Sequence, residues 1–153
     1  MKIIFLDIDG VLNHEEWYDK VVTSKVNPIN QDLDPSSIGK INRIISLTDA
    51  KIVLSSSWRV DSNCATMLYK SGLFKDSIID KTPYIHHDEN HMRGFEIQKW
   101  LDETGYKISS YVIIDDDKDM LDSQMSNFIQ TSRWTGITDE DVDKCIKILN
   151  NET

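Results

Sequence analysis

Residues 1–13 read Met1-Lys2-Ile3-Ile4-Phe5-Leu6-Asp7-Ile8-Asp9-Gly10-Val11-Leu12-Asn13. The apolar run that ends at Leu6 is too short for a helix, and it predicts a strand that is buried on both faces of a parallel sheet. Asp7 and Asp9 are two residues apart on an extended segment, so their side chains leave the same face at the carboxyl end of this strand. Two carboxylates this close repel each other, and the pair therefore indicates either a divalent metal site or a divided acid and base role.

Gly10 allows the chain to turn sharply directly after these acids. Asp-Gly is also a strong signal for a two-residue hairpin turn, which is the alternative interpretation of this dipeptide. The run before it lacks the alternation of apolar and polar residues that is typical of a hairpin strand. We therefore favour a strand that ends at a functional site.

Strands and helices alternate along the rest of the sequence. We expect strands near residues 51–55, 77–80, 110–115 and 127–131, and helices that begin near Asp34, Asp61 or Ser62, Arg93 and Thr138. This order predicts an α/β fold, a three-layer Rossmann-like parallel sheet with strand order 3-2-1-4-5. Residues 13–33 are expected to form a short flap, with no large cap domain, in a single domain that spans residues 1–153.

Composition and charge limit the classes of function. The 153 residues carry a net charge of −9, so strong non-specific binding to nucleic acid and binding to anionic membranes are both disfavoured. Cys64 and Cys145 lie far apart without a metal-type spacing, which suits a reducing compartment. No apolar segment is long enough for a signal peptide core or a membrane span, and we expect a soluble, cytoplasmic protein.

The predicted strand order brings two groups of acids together. Strands one and four are expected to be neighbours, so Asp7 and Asp9 should lie beside Asp115 and Asp116, which end the fourth strand. Carboxylates at two neighbouring strand ends form an all-oxygen site that suits Mg²⁺. Asp115 to Asp117 could instead form a solvated helix cap, and whether Asp115 or Asp116 binds the metal directly stays open.

The segment Asp7-Ile-Asp9-Gly10-Val-Leu resembles the first motif of the haloacid dehalogenase-like (HAD) superfamily. The resemblance implies that Asp7 is a nucleophile toward phosphate and that Asp9 is the general acid and base. It also implies that the main-chain carbonyl of Asp9 is a metal ligand, next to the carboxylates of Asp7, Asp115 and Asp116.

Later segments resemble the remaining HAD motifs in the same order along the chain. Ser55 closes an apolar strand as in the second motif, so the resemblance implies that the Ser55 hydroxyl binds phosphate. The backbone N–H of Ser56 could add a second donor. Arg93 takes the place of the cation of the third motif, and Lys81 is the alternative. Asp115-Asp116 resembles the fourth motif, whose acids hold Mg²⁺.

Taken together, the resemblance implies a Mg²⁺-dependent phosphomonoester hydrolase that works through an aspartyl-phosphate intermediate. The Ser-Ser-Trp-Arg run at 56–59 and the Arg-Gly-Phe-Glu-Ile run at 93–97 are most similar to small capless phosphatase domains of nucleic-acid repair proteins. The expected substrate is a nucleic-acid 3′-phosphate or a small nucleotide. The alternative is a non-catalytic phosphate-binding or regulatory module with the same fold.

Three other features call for an interpretation. The segment from His86 to His91 could bind zinc through its imidazoles and acids, although a polar loop is the simpler reading. Trp58-Arg59 could stack on a base or clamp a phosphate, while core packing explains Trp58 equally well. Asp119 could be an outer acid of the metal site or a solvated residue.

Overall fold

The computed structural model describes residues 1–23, 32–85 and 92–152. Within these ranges the chain forms five strands: β1 (Lys2–Leu6), β2 (Lys51–Leu54), β3 (Ile78–Lys81), β4 (Ser110–Asp115) and β5 (Phe128–Gln130). All neighbouring pairs are parallel, and the sheet has the order β3-β2-β1-β4-β5. The predicted α/β class and strand order are therefore confirmed.

The helices of the described ranges are α1 (Glu15–Thr23), α2 (Pro35–Thr48), α3 (Cys64–Lys70), α4 (Arg93–Glu103) and α5 (Asp139–Leu149). Two short 3₁₀ helices, Ser57–Val60 and Asp122–Asn127, follow β2 and precede β5. No large cap domain interrupts the described residues, as the sequence predicts. No helix in these ranges has both the length and the apolar character that crossing a membrane requires.

The two faces of the sheet carry separate apolar cores. On β1, Ile4 and Leu6 join the core that contains the buried residues of α2, α3 and α5. Ile3 and Phe5 point to the opposite face and pack with Ile97 and Trp100 of α4. Because successive side chains of a strand alternate between faces, a strand covered on both sides has to be apolar throughout.

Local signals in the sequence set several helix starts. Asp34 accepts a hydrogen bond at Oδ1 from the Ser36 amide, 2.9 Å away, ahead of Pro35 at the first helical position. Thr138 and Asp141 form a reciprocal capping box at the start of α5, with bonds of 3.2 and 3.0 Å. Both starts agree with the sequence-based prediction.

Helix α1 is the main element that the sequence analysis did not predict. It lies within the segment interpreted as a flap, of which residues 24–31 are outside the described ranges. The amides of Glu15 and Glu16 donate to the carbonyls of Arg133 and Trp134, each at 3.0 Å. These acceptors are more than a hundred residues away, so no local pattern indicates that a helix is anchored here.

Smaller differences concern boundaries. Strand β3 begins at Ile78 and includes Lys81, one residue later than expected. Helix α3 begins at Cys64, and Asp61 instead accepts a bond from the Asn63 amide in the preceding turn. The segment from His86 to His91 lies outside the described residues, so its interpretation stays open.

Candidate active site

The acids that follow β1 and β4 meet at the carboxyl edge of the sheet. Leu6 pairs with Ile114 in the ladder, and the Asp7 amide donates to the Ile114 carbonyl at 3.0 Å. One carboxylate oxygen from each of Asp7, Asp115 and Asp116 lies within 4.8 Å of the other two. The adjacency of strands one and four therefore brings together three of the four acids that the sequence analysis proposed for one site, and the Asp9 carboxylate is not among them.

Burial makes this cluster of acids electrostatically costly. Only 6% of Asp7 and 1% of Asp115 is exposed. Burial raises the pKa of Asp7 from 3.8 to about 6, although the charge of Arg93 opposes this change. The pKa of Asp115 rises to about 9, first because the carboxyl is buried and second because Asp7 is close. A cluster of this kind is stable near neutral pH only when it retains a proton or gains a cation.

The donor set of the cluster fits a hard divalent cation. Asp115 Oδ2 is buried, forms an ion pair with Arg93 Nε at 3.4 Å, and has no hydrogen-bond partner among the described residues. A buried carboxylate oxygen that accepts no hydrogen bond is rare, because leaving it so costs free energy. All the converging ligand atoms are carboxylate oxygens, which Mg²⁺ prefers. Asp7, Asp115 and Asp116 are thus suited to hold such an ion.

Gly10 permits the close approach of Asp116. Its φ angle is +76°, a region that residues with a side chain rarely adopt. A Cβ atom at this position would lie 2.4 Å from Asp116 Oδ2. Glycine is therefore required both for the turn after Asp9 and for the position of one acid of the cluster.

Asp9 is exposed and stands apart from the three clustered acids. Asn13 Nδ2 donates to its Oδ1 at 2.8 Å, and Trp58 Nε1 donates to its Oδ2 at 2.9 Å. Asn13 Oδ1 in turn accepts from the Gly10 amide at 2.9 Å. The side chain of Asp9 is thus free of the cluster and held at both oxygens, while metal binding by its main-chain carbonyl stays a prediction.

The first two of the three serines that follow β2, Ser55 and Ser56, lie at the same edge of the sheet as Asp7. The Ser55 amide donates to the Leu6 carbonyl at 3.0 Å, which extends the β1–β2 ladder to the site. Ser55 Oγ is buried and forms no hydrogen bond with the residues of the described ranges. Ser56 Oγ accepts from the Trp58 amide at 3.2 Å, and its hydrogen bond to Asp7 lowers the pKa of that carboxyl, against the larger effect of burial.

Arg93, rather than Lys81, is the cation next to the acids. Arg93 Nη1 is buried and has no hydrogen-bond partner in the part of the chain that the structure describes, and Nε faces Asp115. The exposed Lys81 donates through Nζ to the Arg59 carbonyl at 3.0 Å. Asp119 accepts from the Arg93 amide at 2.9 Å, so it caps the first turn of α4 rather than standing in solvent.

Arg59 has a different role from the phosphate clamp that its position in the sequence suggested. Only 4% of the residue is exposed, and Nη2 lies 2.7 Å from Glu96 Oε2. The remaining donor groups bind the carbonyls of Ser55, Ser56, Thr82 and Pro83. All of these contacts are internal, so Arg59 fixes the segment after β2 and is not available to a substrate. The signal in the sequence that could have indicated this internal role of Arg59 is Glu96, an acid within the apolar face of α4.

Comparison with known proteins identifies the family of the chain. Residues 3–142 match the family described as the HAD domain in Swiss Army Knife RNA repair proteins. No curated protein matches the chain. The matched range includes strands β2 to β5, all of β1 except Lys2, and the acids that follow β1 and β4. The chain therefore belongs to this family of HAD domains, and with it to the hydrolases of the HAD superfamily.

Proposed function

We propose that the chain is a Mg²⁺-dependent phosphomonoester hydrolase that forms a covalent phosphate intermediate on Asp7. The observation that carries this proposal is the set of unsatisfied buried groups around Asp7. Within the described residues, Asp115 Oδ2 accepts no hydrogen bond, whereas Ser55 Oγ and Arg93 Nη1 can donate to an anion. An acceptor suited to a cation and donors suited to a phosphoryl group adjoin one buried nucleophile.

The first half of the proposed reaction transfers the phosphoryl group to the protein. An Asp7 carboxylate oxygen attacks phosphorus, and the bond from phosphorus to the leaving oxygen breaks while Asp9 gives that oxygen a proton. Ser55 Oγ and the Arg93 guanidinium bind the phosphoryl oxygens and stabilise their charge. In the second half, Asp9 takes a proton from water, which attacks the aspartyl phosphate and releases inorganic phosphate.

A Mg²⁺ ion held by Asp7, Asp115 and Asp116 would reduce the repulsion between the anionic nucleophile and the anionic substrate. The main-chain carbonyl of Asp9 is a further ligand by resemblance. The charge of Arg93 already offsets part of this repulsion, because it lowers the pKa of both buried acids.

The substrate class that we propose is a nucleic-acid 3′-phosphate or a nucleotide. The family is described by its occurrence in RNA repair proteins. A cleft of about 460 Å³ adjoins Asp116 and includes the exposed Arg133, which gives room for a nucleotide-sized leaving group. The net charge of −9 favours recognition of a phosphorylated end over binding along a polyanion. A single domain acting in the cytoplasm, as expected from the sequence, is part of this proposal.

The test is a comparison of phosphate release from a 3′-phosphorylated oligonucleotide, a mononucleotide, a phosphopeptide and an aryl phosphate, with Mg²⁺ or with EDTA. Asp7→Asn should abolish release, and acid quenching of the wild type should trap phosphate on Asp7. Asp102→Asn is the matched control, because Asp102 is exposed on the surface of α4, where it accepts a bond from Gln98. Activity that survives in Asp7→Asn refutes the nucleophile, and binding of phosphate mimics without any turnover indicates the non-catalytic alternative.

A further inference from the structure

We infer that Trp58, together with Asn13, is a positioning residue for Asp9 and determines how well the chain expels poor leaving groups. This inference rests on the proposed function and adds to it Trp58, which follows β2, whereas Asp9 follows β1. The indole Nε1 donates to Asp9 Oδ2 at 2.9 Å, across 49 positions of sequence. The general acid is thereby tied to the segment that carries the phosphate-binding serines.

Both contacts on Asp9 come from groups whose orientation is fixed. An indole N–H can only donate, so Trp58 always presents a donor to the carboxylate. The Gly10 amide donates to Asn13 Oδ1, which leaves Asn13 Nδ2 directed to Asp9 Oδ1. Asp9 is exposed, and without these two donors its carboxylate would be free to rotate in solvent. The pair of bonds therefore selects one orientation.

Trp58 is itself held by its surroundings. Its amide donates to Ser56 Oγ at 3.2 Å, and the side chain is half-buried against the larger apolar core. The next residue, Arg59, donates to the carbonyls of Ser55 and Ser56 at 3.1 and 2.8 Å. The indole, the two serines and the buried guanidinium thus form one rigid unit at the end of β2. A shift of Asp9 relative to the bound phosphoryl group is resisted by this unit.

The chemical consequence depends on the leaving group. When the bond from phosphorus to oxygen breaks, the electron pair stays on the leaving oxygen, and Asp9 supplies the proton that neutralises it. A nucleoside oxygen is a strong base and requires this proton, whereas p-nitrophenolate leaves without it. If Trp58 acts through Asp9, its loss should affect the first substrate much more than the second.

The experiment compares Trp58→Phe with Trp100→Phe on these two substrates. Trp100 Nε1 donates to Asp80 Oδ2 at 2.7 Å in the core around α4, so the control loses the same kind of bond away from Asp9. With Trp58→Phe, kcat/KM for a ribonucleoside 3′-phosphate should fall by about tenfold or more, mostly in kcat. For p-nitrophenyl phosphate, kcat/KM should fall by less than about threefold in Trp58→Phe. Trp100→Phe should leave kcat/KM for both substrates unchanged.

Asn13→Asp is a second variant, which keeps the acceptor for the Gly10 amide but removes the donor to Asp9. It should show the same dependence on the leaving group. A readout without substrate or metal is the indole N–H resonance in two-dimensional NMR. The sequence has four tryptophans, and Trp58→Phe identifies the resonance of Trp58 by its disappearance. In Asp9→Ala this resonance should shift, while that of Trp100 should not.

The outcomes separate the inference from the function on which it rests. If the wild type hydrolyses neither substrate, the phosphatase proposal is refuted. The positioning role of Trp58 in that reaction is then refuted as well. An active wild type with equal losses on both substrates in Trp58→Phe overturns the inference alone. An unmoved Trp58 resonance in Asp9→Ala also overturns it, because the hydrogen bond would then be absent in solution.

Discussion

Replacing Glu96 by Gln tests the buried ion pair that holds the segment after β2. Glu96 Oε2 lies 2.7 Å from Arg59 Nη2, and the two side chains are 2% and 3% exposed. The variant keeps the size of the side chain and an oxygen that can accept from the Ile85 amide, 3.2 Å from Glu96 Oε1. It removes the carboxylate that pairs with the guanidinium of Arg59.

The expected loss of stability is large because the remaining charge stays buried. Removing one partner of a buried pair costs about 3–5 kcal/mol. We expect the lower end, about 3 kcal/mol, because four main-chain carbonyls still accept from Arg59. A domain of this size loses about 2–4 °C of melting temperature per kcal/mol, so Tm should fall by about 6–12 °C.

The assay is thermal and urea unfolding of Glu96→Gln beside Glu103→Gln. Glu103 lies on the same helix and pairs with Lys99 at 2.9 Å, but these side chains are 64% and 47% exposed. An exposed pair of this kind contributes about 0.3–0.5 kcal/mol, so the control should melt close to the wild type. If the two variants melt within a degree or two of each other, the carbonyls alone compensate Arg59 and our reasoning about the charge is wrong.

Two further predictions concern the acids themselves. Gly10→Ala should destabilise the protein by at least about 1–2 kcal/mol and weaken Mg²⁺ binding, because the added Cβ would displace Asp116. The control is Gly39→Ala, which has open space around the added Cβ and should be neutral or stabilising. An equal effect in both variants contradicts the proposed contact. Without divalent cations, the pKa values of Asp7 and Asp115 in the folded protein lie above those of the unfolded chain. Their contribution to the stability of the folded state is therefore complete below pH 3.8, and it is lost as the pH rises through about 6 for Asp7 and about 9 for Asp115. Scanning calorimetry should therefore show that Mg²⁺ raises Tm more at pH 8 than at pH 5, and the difference should shrink in Asp7→Asn.

The parts of the fold that local sequence patterns encode could be predicted. The apolar run before Asp7 and the similar run before Asp115 each indicate a fully buried strand, and their adjacency follows from the handedness of the crossovers. Asp34 and Thr138 start helices through contacts within four residues. Such signals do not depend on the rest of the fold, which is why they can be recognised in one sequence.

Contacts between distant side chains could not be predicted. The bond from Trp58 to Asp9 depends on the 3₁₀ turn after β2 and on a particular side-chain orientation. The pairing of Arg59 with Glu96 depends on how α4 lies on the sheet. Helix α1 is tied at its first turn to carbonyls of residues 133 and 134. Each of these features is a result of tertiary packing and has no period or spacing in the sequence.

The distribution of unsatisfied groups bears on the choice between an enzyme and a phosphate-binding module. A module that only binds phosphate requires donors, and Ser55 Oγ and Arg93 Nη1 would be sufficient for that purpose. It has no use for the buried carboxylate of Asp115, whose Oδ2 accepts no hydrogen bond from the described residues and which repels an anion unless a cation lies between them. Nor does it require a separate carboxylate on Asp9 that two donors hold in one orientation. Burying Asp7 and Asp115 costs free energy, and this cost is explained if the site holds a cation and a phosphoryl group together. The fixed orientation of Asp9 is explained if Asp9 then transfers a proton. Hydrolysis requires both.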